Sequence, residues 1–160
     1  MVPLLADRRG HVTRADIKSQ LTENLMAVQM ELARIIIAET SDQQFIFLKE
    51  KEGSRTLPIV IGSAEAIAID NRLKGTKFPR PQTHELLANV IDKMGGKLER
   101  IVINDLQDHT FFAQLIIRRD GQRMEIDSRP SDAIAIGIAE NVPIFVAEHV
   151  LDQVTGDNPG

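Results

Sequence analysis

Residues 98–111 read LERIVINDLQDHTF, and an earlier segment, residues 32–45, reads LARIIIAETSDQQF. Leucine, arginine, isoleucine, aspartate and phenylalanine recur in the two segments at one constant spacing. Further along, EAIAI at 65–69 matches DAIAI at 132–136 after a shift of a single residue. A shared order of this length predicts an internal duplication of the chain.

The two copies of this duplication lie at residues 32–69 and 98–136. Each copy begins with three segments rich in Ile and Val, separated by short polar turns, and this pattern predicts three β-strands. An Ala/Ile segment closes each copy. Its alternation would suit a strand, but a serine followed by an early carboxylate favours a helix start. The fold class is therefore α+β: strand-strand-strand-helix units that form a mixed or antiparallel sheet, or a barrel-like core, with packed helices.

Apolar residues between the two copies repeat with the period of one helical face and predict a linking helix over residues 83–94. The segment VPIFVAEHVL, residues 142–151, predicts a strand that runs into a short helical turn. We expect a single domain over residues 25–154, because 160 residues suffice for one core. Residues 1–24 are expected to form a polar leader, partly helical or disordered, and residues 155–160 a flexible tail.

The composition excludes several kinds of site. Cysteine is absent, which excludes disulfides, thiolate metal sites and a cysteine nucleophile. No apolar run approaches the roughly 20 residues that span a bilayer, and no signal peptide is visible, so we expect a cytoplasmic protein without a membrane partner. The net charge of -4 does not attract nucleic acid globally, so any polyanion needs a local basic site. A small, strand-rich domain with many Ile and Val residues predicts a homo-oligomer, with a dimer favoured.

Arg-Pro occurs twice in the chain, each time just before a predicted helix start. Arg80 precedes Thr83, and Arg129 precedes Ser131. A helix N-terminus attracts anions, and an upstream arginine adds a planar fork that matches phosphate. Two such elements could hold a phosphodiester backbone from two sides. Ordinary capping would select the same Ser and Thr residues, however, and each arginine could simply pair with a nearby aspartate.

His84 is the strongest candidate for proton transfer. It would lie in the first turn of the linking helix, where the helix dipole favours the neutral, base-competent imidazole. The alternative is that His84 is a half-exposed histidine without a role. The carboxylates have two candidate tasks. They could pair with or orient an arginine, for which Asp127, Asp132 and Asp105 are the candidates, or hold a divalent metal such as Mg²⁺. The candidate metal ligands are Asp105, Asp127, Asp132 and Glu65, whose spacing does not establish that they converge.

Four longer motifs follow one another in a fixed order. They are LPIVIGSAEAIAI at 57–69, PRPQTHELL at 79–87, DLQDHTFFAQL at 105–115 and IDSRPSDAIAIG at 126–137, with VPIFVAEHVL closing the pattern. Together they resemble the bifunctional nuclease domain of bacteria and plants, over about residues 26–152. The resemblance implies hydrolysis of both RNA and DNA with little base preference.

Three positions depart from the usual pattern of the family that this chain resembles. Glu85 and Phe112 stand where the family usually has Asp and Tyr, and Ser128 stands where it usually has Ala. The change at Phe112 removes a hydroxyl group. If that hydroxyl takes part in catalysis, this chain lacks one catalytic group of its relatives.

Two hypotheses of different classes follow. The first is a sequence-tolerant nuclease that hydrolyses phosphodiester bonds of RNA or DNA, with the catalytic residues His84, Asp127, Arg129 and Asp132 and the phosphate-binding residues Arg80, Thr83 and Ser131. The second is a non-catalytic, oligomeric binding module for a phosphorylated metabolite or a protein partner. The negative charge and the lack of an aromatic stacking surface favour the second. Geometry discriminates between them, because the nuclease needs its arginines, His84 and Asp127 in one cleft.

Overall fold

The computed structural model describes residues 14–156, which contain seven strands and five α-helices. The elements are, in order, α1 (Arg14–Met26), β1 (Ala27–Ile36), β2 (Gln44–Glu50), β3 (Thr56–Ile61), α2 (Ser63–Lys74), α3 (Thr83–Lys93), β4 (Lys97–Gln107), β5 (Thr110–Arg119), β6 (Gln122–Ser128), α4 (Pro130–Gly137), a 3-10 turn (Ile138–Glu140), β7 (Ile144–Ala147) and α5 (Glu148–Gly156). Residues 1–13 of the predicted leader and 157–160 of the predicted tail lie outside the described residues. The domain boundaries therefore stay a prediction.

The seven strands form one mixed sheet in the order β3-β2-β1-β7-β4-β5-β6. All neighbours are antiparallel except β4 and β7, which run parallel. The predicted α+β class and mixed sheet are confirmed, but the barrel-like alternative is wrong. The short strand β7 joins the two halves through their first strands, so their third strands, β3 and β6, lie at opposite edges of an open sheet.

The two halves of the sheet have the same order of elements. Each half is a meander of three antiparallel strands, β1 to β3 or β4 to β6, followed directly by a helix, α2 or α4. The predicted element types of both copies and the linking helix are thus confirmed. The duplication itself stays a prediction: we expect residues 32–69 to superpose on residues 98–136 about a pseudo-twofold axis.

Two-residue turns set the register of the second meander. Asp108 and His109 join β4 to β5 with φ angles of 48° and 63°, and Asp120 and Gly121 join β5 to β6 with φ angles of 50° and 74°. Two successive residues with positive φ match the right-handed twist of the paired strands, and Asp and Gly tolerate this conformation. These turns place the end of β6, and with it the start of α4, at a defined position on the sheet.

Helix α4 is the centre of the core. Seven of its residues, from Pro130 to Gly137, are buried, apart from Asp132 in its first turn. The AIAI pattern therefore belongs to a helix that is apolar on most faces, as the sequence predicts. Small residues let neighbouring elements approach closely: a Cβ added to Gly137 would lie 2.9 Å from Ile101 and 3.0 Å from Val142. Close packing of α4 against α2, α3 and the sheet fixes the position of its N-terminus.

Candidate active site

A cleft of about 640 Å³ lies between one face of α2, the segment that follows α2, and the first turns of α3 and α4. This volume falls within the range of roughly 300–1,000 Å³ that is typical of ligand-binding sites. His84, Glu65, Arg129 and Asp132 line the cleft together with Thr83. The structure thus brings five of the sequence-predicted residues to one place.

The polar groups of the cleft form a continuous chain across three helices. Nε2 of His84, on α3, lies 2.8 Å from Oδ1 of Asp132, on α4. Arg129 donates from Nε to Oδ2 of Asp132 at 2.7 Å and from Nη2 to Oδ1 at 3.1 Å. Its Nη1 donates to Oε1 of Glu65, on α2, at 3.2 Å. Arg129 therefore pairs with Asp132, one of the partners that the sequence suggested, and with Glu65, and not with Asp127 or Asp105.

The ionised carboxylate of Asp132 determines which ring nitrogen of a neutral His84 carries the hydrogen. Burial raises the pKa of Asp132, but hydrogen bonds from Arg129 and His84 outweigh this effect and lower the pKa below its usual value. Asp132 raises the pKa of Arg129 in return. Because Asp132 is an ionised acceptor, a neutral His84 must carry its hydrogen on Nε2 and present Nδ1 as a lone pair. The arrangement is that of an imidazole oriented by a carboxylate, as in other proton-transfer sites.

Arg129 retains capacity for a further ligand. A guanidinium has five N–H groups, and Arg129 uses three of them in its bonds to Asp132 and Glu65. One N–H remains on each terminal nitrogen, and 63% of the side chain is exposed. N–H groups of an arginine can donate to the oxygens of a phosphate.

The helix starts were predicted correctly, but their capping was not. The N-cap residues of α2, α3 and α4 are Gly62, Gln82 and Arg129, and none of them makes a side-chain capping bond. Thr83 and Ser131 lie one or two residues too late to cap, inside their helices. The first amides of α3 and α4 therefore keep their positive partial charge at the cleft.

Three of the predicted site residues lie elsewhere. Arg80 is exposed in the loop before α3 and does not line the cleft, so a clamp formed by both arginines is not observed. Asp127 is exposed at the end of β6, where it pairs with Gln114 of β5. Ser131 is buried and lines a second groove between β3 and the β4–β5 turn.

The four candidate metal ligands do not converge. Asp105 belongs to a separate network: hydrogen bonds from Gln107 and from the Leu106 amide lower its pKa, and His149 lies 3.6 Å away. Glu65 and Asp132 come together, but the guanidinium of Arg129 lies between them. Among the side chains that the structure describes, no group of three or more from His, Asp and Glu is arranged to hold a metal ion.

Sequence reasoning missed several lining residues. Lys77 and Phe78 immediately precede the PRPQTHELL motif, and Asn71 and Arg72 lie on α2. With these included, the lining has three cationic side chains (Arg72, Lys77 and Arg129) and three anionic ones (Glu65, Glu85 and Asp132), beside His84. The cleft is therefore electrostatically balanced in a protein whose net charge is -4. Phe112, which stands where the family usually has a tyrosine with its hydroxyl, does not line this cleft.

Arg72 of α2 connects the cleft lining to the buried helix α4 by hydrogen bonds. Its Nε and Nη2 donate to the carbonyl oxygens of Ala135 and Ile136, each at 2.8 Å, near the end of α4. Carbonyls in the last turn of a helix have no partner within the helix. Arg72 satisfies two of them and ties α2 to α4.

We expect Arg72→Met to lower the free energy of unfolding by about 2 kcal/mol, because two charge-assisted hydrogen bonds are lost. Urea denaturation measures the change. The matched control is Lys74→Met on the same helix, which removes only the exposed ion pair with Asp70 and should cost less than about 0.5 kcal/mol. Equal effects of the two substitutions would contradict a structural role for Arg72.

The helices of residues 14–156 include none with the length and apolar character needed to cross a membrane.

The family model of the bifunctional nuclease domain matches residues 46–158. An uncharacterised protein of Mycobacterium tuberculosis is 39% identical over 125 residues, which cover 78% of this chain and 74% of that protein. Bifunctional nuclease 2 of Oryza sativa subsp. japonica is 31% identical over 134 residues, 81% of this chain and 41% of the rice protein.

Bifunctional nuclease 1 of Arabidopsis thaliana is 28% identical over 109 residues, 66% of this chain and 34% of that protein. The chain thus matches less than half the length of these plant proteins but most of the mycobacterial one. The matched region contains β3 to β7 and all four residues of the polar chain between His84 and Glu65. On this evidence the chain belongs to the bifunctional nuclease domain family.

Proposed function

We propose that this protein is a nuclease that hydrolyses phosphodiester bonds of RNA, DNA or both, with little dependence on base sequence. The observation that carries the proposal is the bond between His84 and the ionised Asp132, beside an arginine with two free N–H groups. The family and the names of its plant members supply the class of reaction. The cleft supplies a base, a group that orients it and a phosphate ligand.

The chemistry assigned to the cleft is a direct displacement at phosphorus. Nδ1 of His84 accepts a proton from water as the water oxygen attacks the phosphorus atom, and the bond from phosphorus to the leaving oxygen breaks. The leaving oxygen takes a proton from solvent, and His84 then releases its own proton to solvent. Asp132 holds the imidazole in the reactive tautomer and stabilises the imidazolium that forms. Arg129 stabilises the negative charge on the phosphoryl oxygens. A base positioned in this way contributes roughly a hundred- to ten-thousandfold in rate.

The net charge of the polar chain formed by His84, Asp132, Arg129 and Glu65 changes during the reaction in a way that favours the transition state over the bound substrate. In the ground state, Glu65 and Asp132 together outweigh the single charge of Arg129, so the polar chain carries a net charge of about -1. When His84 takes a proton, the chain becomes neutral as negative charge spreads over the phosphoryl oxygens. Interactions that strengthen only in the transition state are those that accelerate a reaction.

The proposed function is tested with purified protein and end-labelled single-stranded RNA, single-stranded DNA and duplex DNA, each with and without a chelator. We expect cleavage by the wild type and none above background by His84→Ala. Equal cleavage by both proteins would reveal a contaminating nuclease and overturn the proposal. The chelator arm tests metal dependence, since Mg²⁺ is commonly held by one or two carboxylates together with substrate phosphates. Glu65, Glu85 and Asp132 are the carboxylates that line the cleft.

The second candidate function is a non-catalytic binding module for a phosphorylated metabolite. It is favoured by one observation: Glu65 and Asp132 both pair with Arg129, and these pairs occupy carboxylate oxygens that a nuclease would use as a base or as metal ligands. The same assay separates the two functions. A binding module would retain an oligonucleotide or a phosphorylated ligand without cleaving it.

We further propose that the protein forms a dimer through α3. None of the residues of this helix is buried. Its apolar residues Leu86, Leu87 and Val90, and Met94 directly after it, are between 42% and 59% exposed. A helix with an apolar face gains stability only when that face is covered. A second copy of the chain would cover it by symmetric contact of the two helices.

Light scattering at about tens of micromolar is expected to give twice the mass of one chain, and the double variant Leu86→Glu/Val90→Glu is expected to give the mass of one chain. Charged side chains would be buried without partners in the dimer, which destabilises association. Val60→Glu is the matched control, because Val60 is equally exposed but lies on β3. A wild type with the mass of one chain would contradict the dimer.

A further inference from the structure

The lining of the cleft also includes apolar side chains. They are Ile67 and Ala68 of α2 and Phe78, and Ile67 and Phe78 are 50% and 40% exposed. Apolar side chains that remain exposed inside a concave site are typical of ligand-binding surfaces. His84, Asp132 and Arg129 line the same cleft.

The backbone on both sides of Phe78 is constrained before any ligand binds. Gly75 follows the last residue of α2 with a φ of 66°, a left-handed conformation that glycine adopts without strain, and the Thr76 amide donates to the Asn71 carbonyl at 2.9 Å. Pro79 follows Phe78 and restricts its backbone to extended conformations. The ring is therefore presented by a constrained segment, which reduces the entropy lost on binding.

We propose that Phe78, with Ile67 and Ala68, forms a subsite that stacks one unpaired nucleobase of the substrate next to the phosphate held by Arg129. The inference rests on the proposed nuclease function and names its substrate class: single-stranded nucleic acid. Every base has an aromatic face, so stacking adds affinity without reading sequence. Lys77, adjacent to Phe78 in the lining, supplies a charge for the neighbouring phosphate.

The shape of the cleft accounts for the preference for single strands. Its volume of about 640 Å³ suits a ligand the size of a nucleotide. A base inside a duplex is covered on both faces by its neighbours and has no free face for Phe78. It would have to be extruded from the helix, at a cost of a few kcal/mol. Single-stranded substrate avoids this cost.

The test compares how tightly wild type and Phe78→Ala bind two ligands, one with bases and one without, and two further variants serve as rescue and control. Fluorescence anisotropy gives the Kd of wild type and Phe78→Ala for a labelled oligothymidylate and for an oligomer of the same length made of abasic residues. The wild type should bind the base-containing oligomer about ten- to a hundredfold more tightly than the abasic one. Phe78→Ala should lose most of this difference, and Phe78→Trp should restore it. Leu73→Ala is the matched control, because Leu73 is an exposed apolar residue of α2 outside the cleft lining.

Cleavage assays on the same proteins add a second readout. Phe78→Ala should raise KM for single strands by a similar factor with little change in kcat, and the wild type should cleave a single strand faster than the matching duplex. A wild type that cleaves but binds both oligomers equally overturns the stacking subsite alone, and this comparison needs no variant. A wild type that neither binds nor cleaves any oligonucleotide overturns the proposed function, and the subsite with it.

Discussion

Replacing His84 with alanine is expected to lower kcat for phosphodiester hydrolysis by about a hundred- to ten-thousandfold while KM changes little. The physical reason is the bond from Nε2 to Asp132, which makes the imidazole a proton acceptor in the transition state and gives it no direct charge for binding phosphate. Initial rates on a labelled single strand, measured over a range of substrate concentrations, separate kcat from KM.

His149→Ala is the matched control for the loss of an imidazole. His149 is exposed and contacts Asp105, and it does not line the cleft. This variant should keep wild-type kcat. Equal losses in the two variants, or full activity in His84→Ala, would remove His84 from the chemistry. Unchanged melting temperatures of both proteins establish that any loss concerns the site and not the fold.

Replacing Arg129 with alanine is expected to weaken oligonucleotide binding about ten- to a hundredfold, because a charge-assisted contact to phosphate is lost. Lysine at this position should recover only part of the affinity, since it keeps the charge and loses the planar fork. The melting temperature should fall by a small amount, because 63% of the side chain is exposed and exposed ion pairs contribute little to stability. A binding titration and thermal melts on the three proteins measure both quantities.

A stability titration with acid provides the control for Arg129. The folded-state pKa of Asp132 is lowered, because the hydrogen bonds from Arg129 and His84 outweigh the effect of burial. The resulting stability is present above the unfolded pKa of an aspartate, about 3.9, and is lost as the pH falls through the lower folded value. This loss should be smaller in Arg129→Ala. A large drop in melting temperature at neutral pH with unchanged affinity would make Arg129 a structural residue instead.

Local periodicity determined which segments become helices and strands. The Ile- and Val-rich segments, the helical face of residues 83–94 and the turn residues at 108–109 each depend on neighbours a few positions away. The sequence also singled out the residue types of the site, His84, Arg129 and Asp132, because proton transfer and phosphate binding need few kinds of side chain. The choice between an open sheet and a barrel was not available from these patterns.

Tertiary structure decided how these elements meet. The four residues of β7 pair with both β1 and β4, and this non-local pairing keeps the sheet open and leaves β3 and β6 at its edges. No local pattern predicts it, since a short strand carries too little sequence to specify its partners.

The site shows the same division. His84 and Asp132 lie 48 positions apart and make contact because α3 packs against α4. The sequence offered four aspartates and glutamates as partners for Arg129 or a metal, and only the packing of α2 beside α4 selected Glu65 and Asp132. Phe78 and Lys77 became part of the cleft because the left-handed turn at Gly75 directs the segment after α2 into its lining. The sequence alone determines which chemical groups the protein has. Which of these groups share a cleft depends on the close packing of the small Ala and Gly residues of α4, because this packing brings together segments that are far apart in sequence.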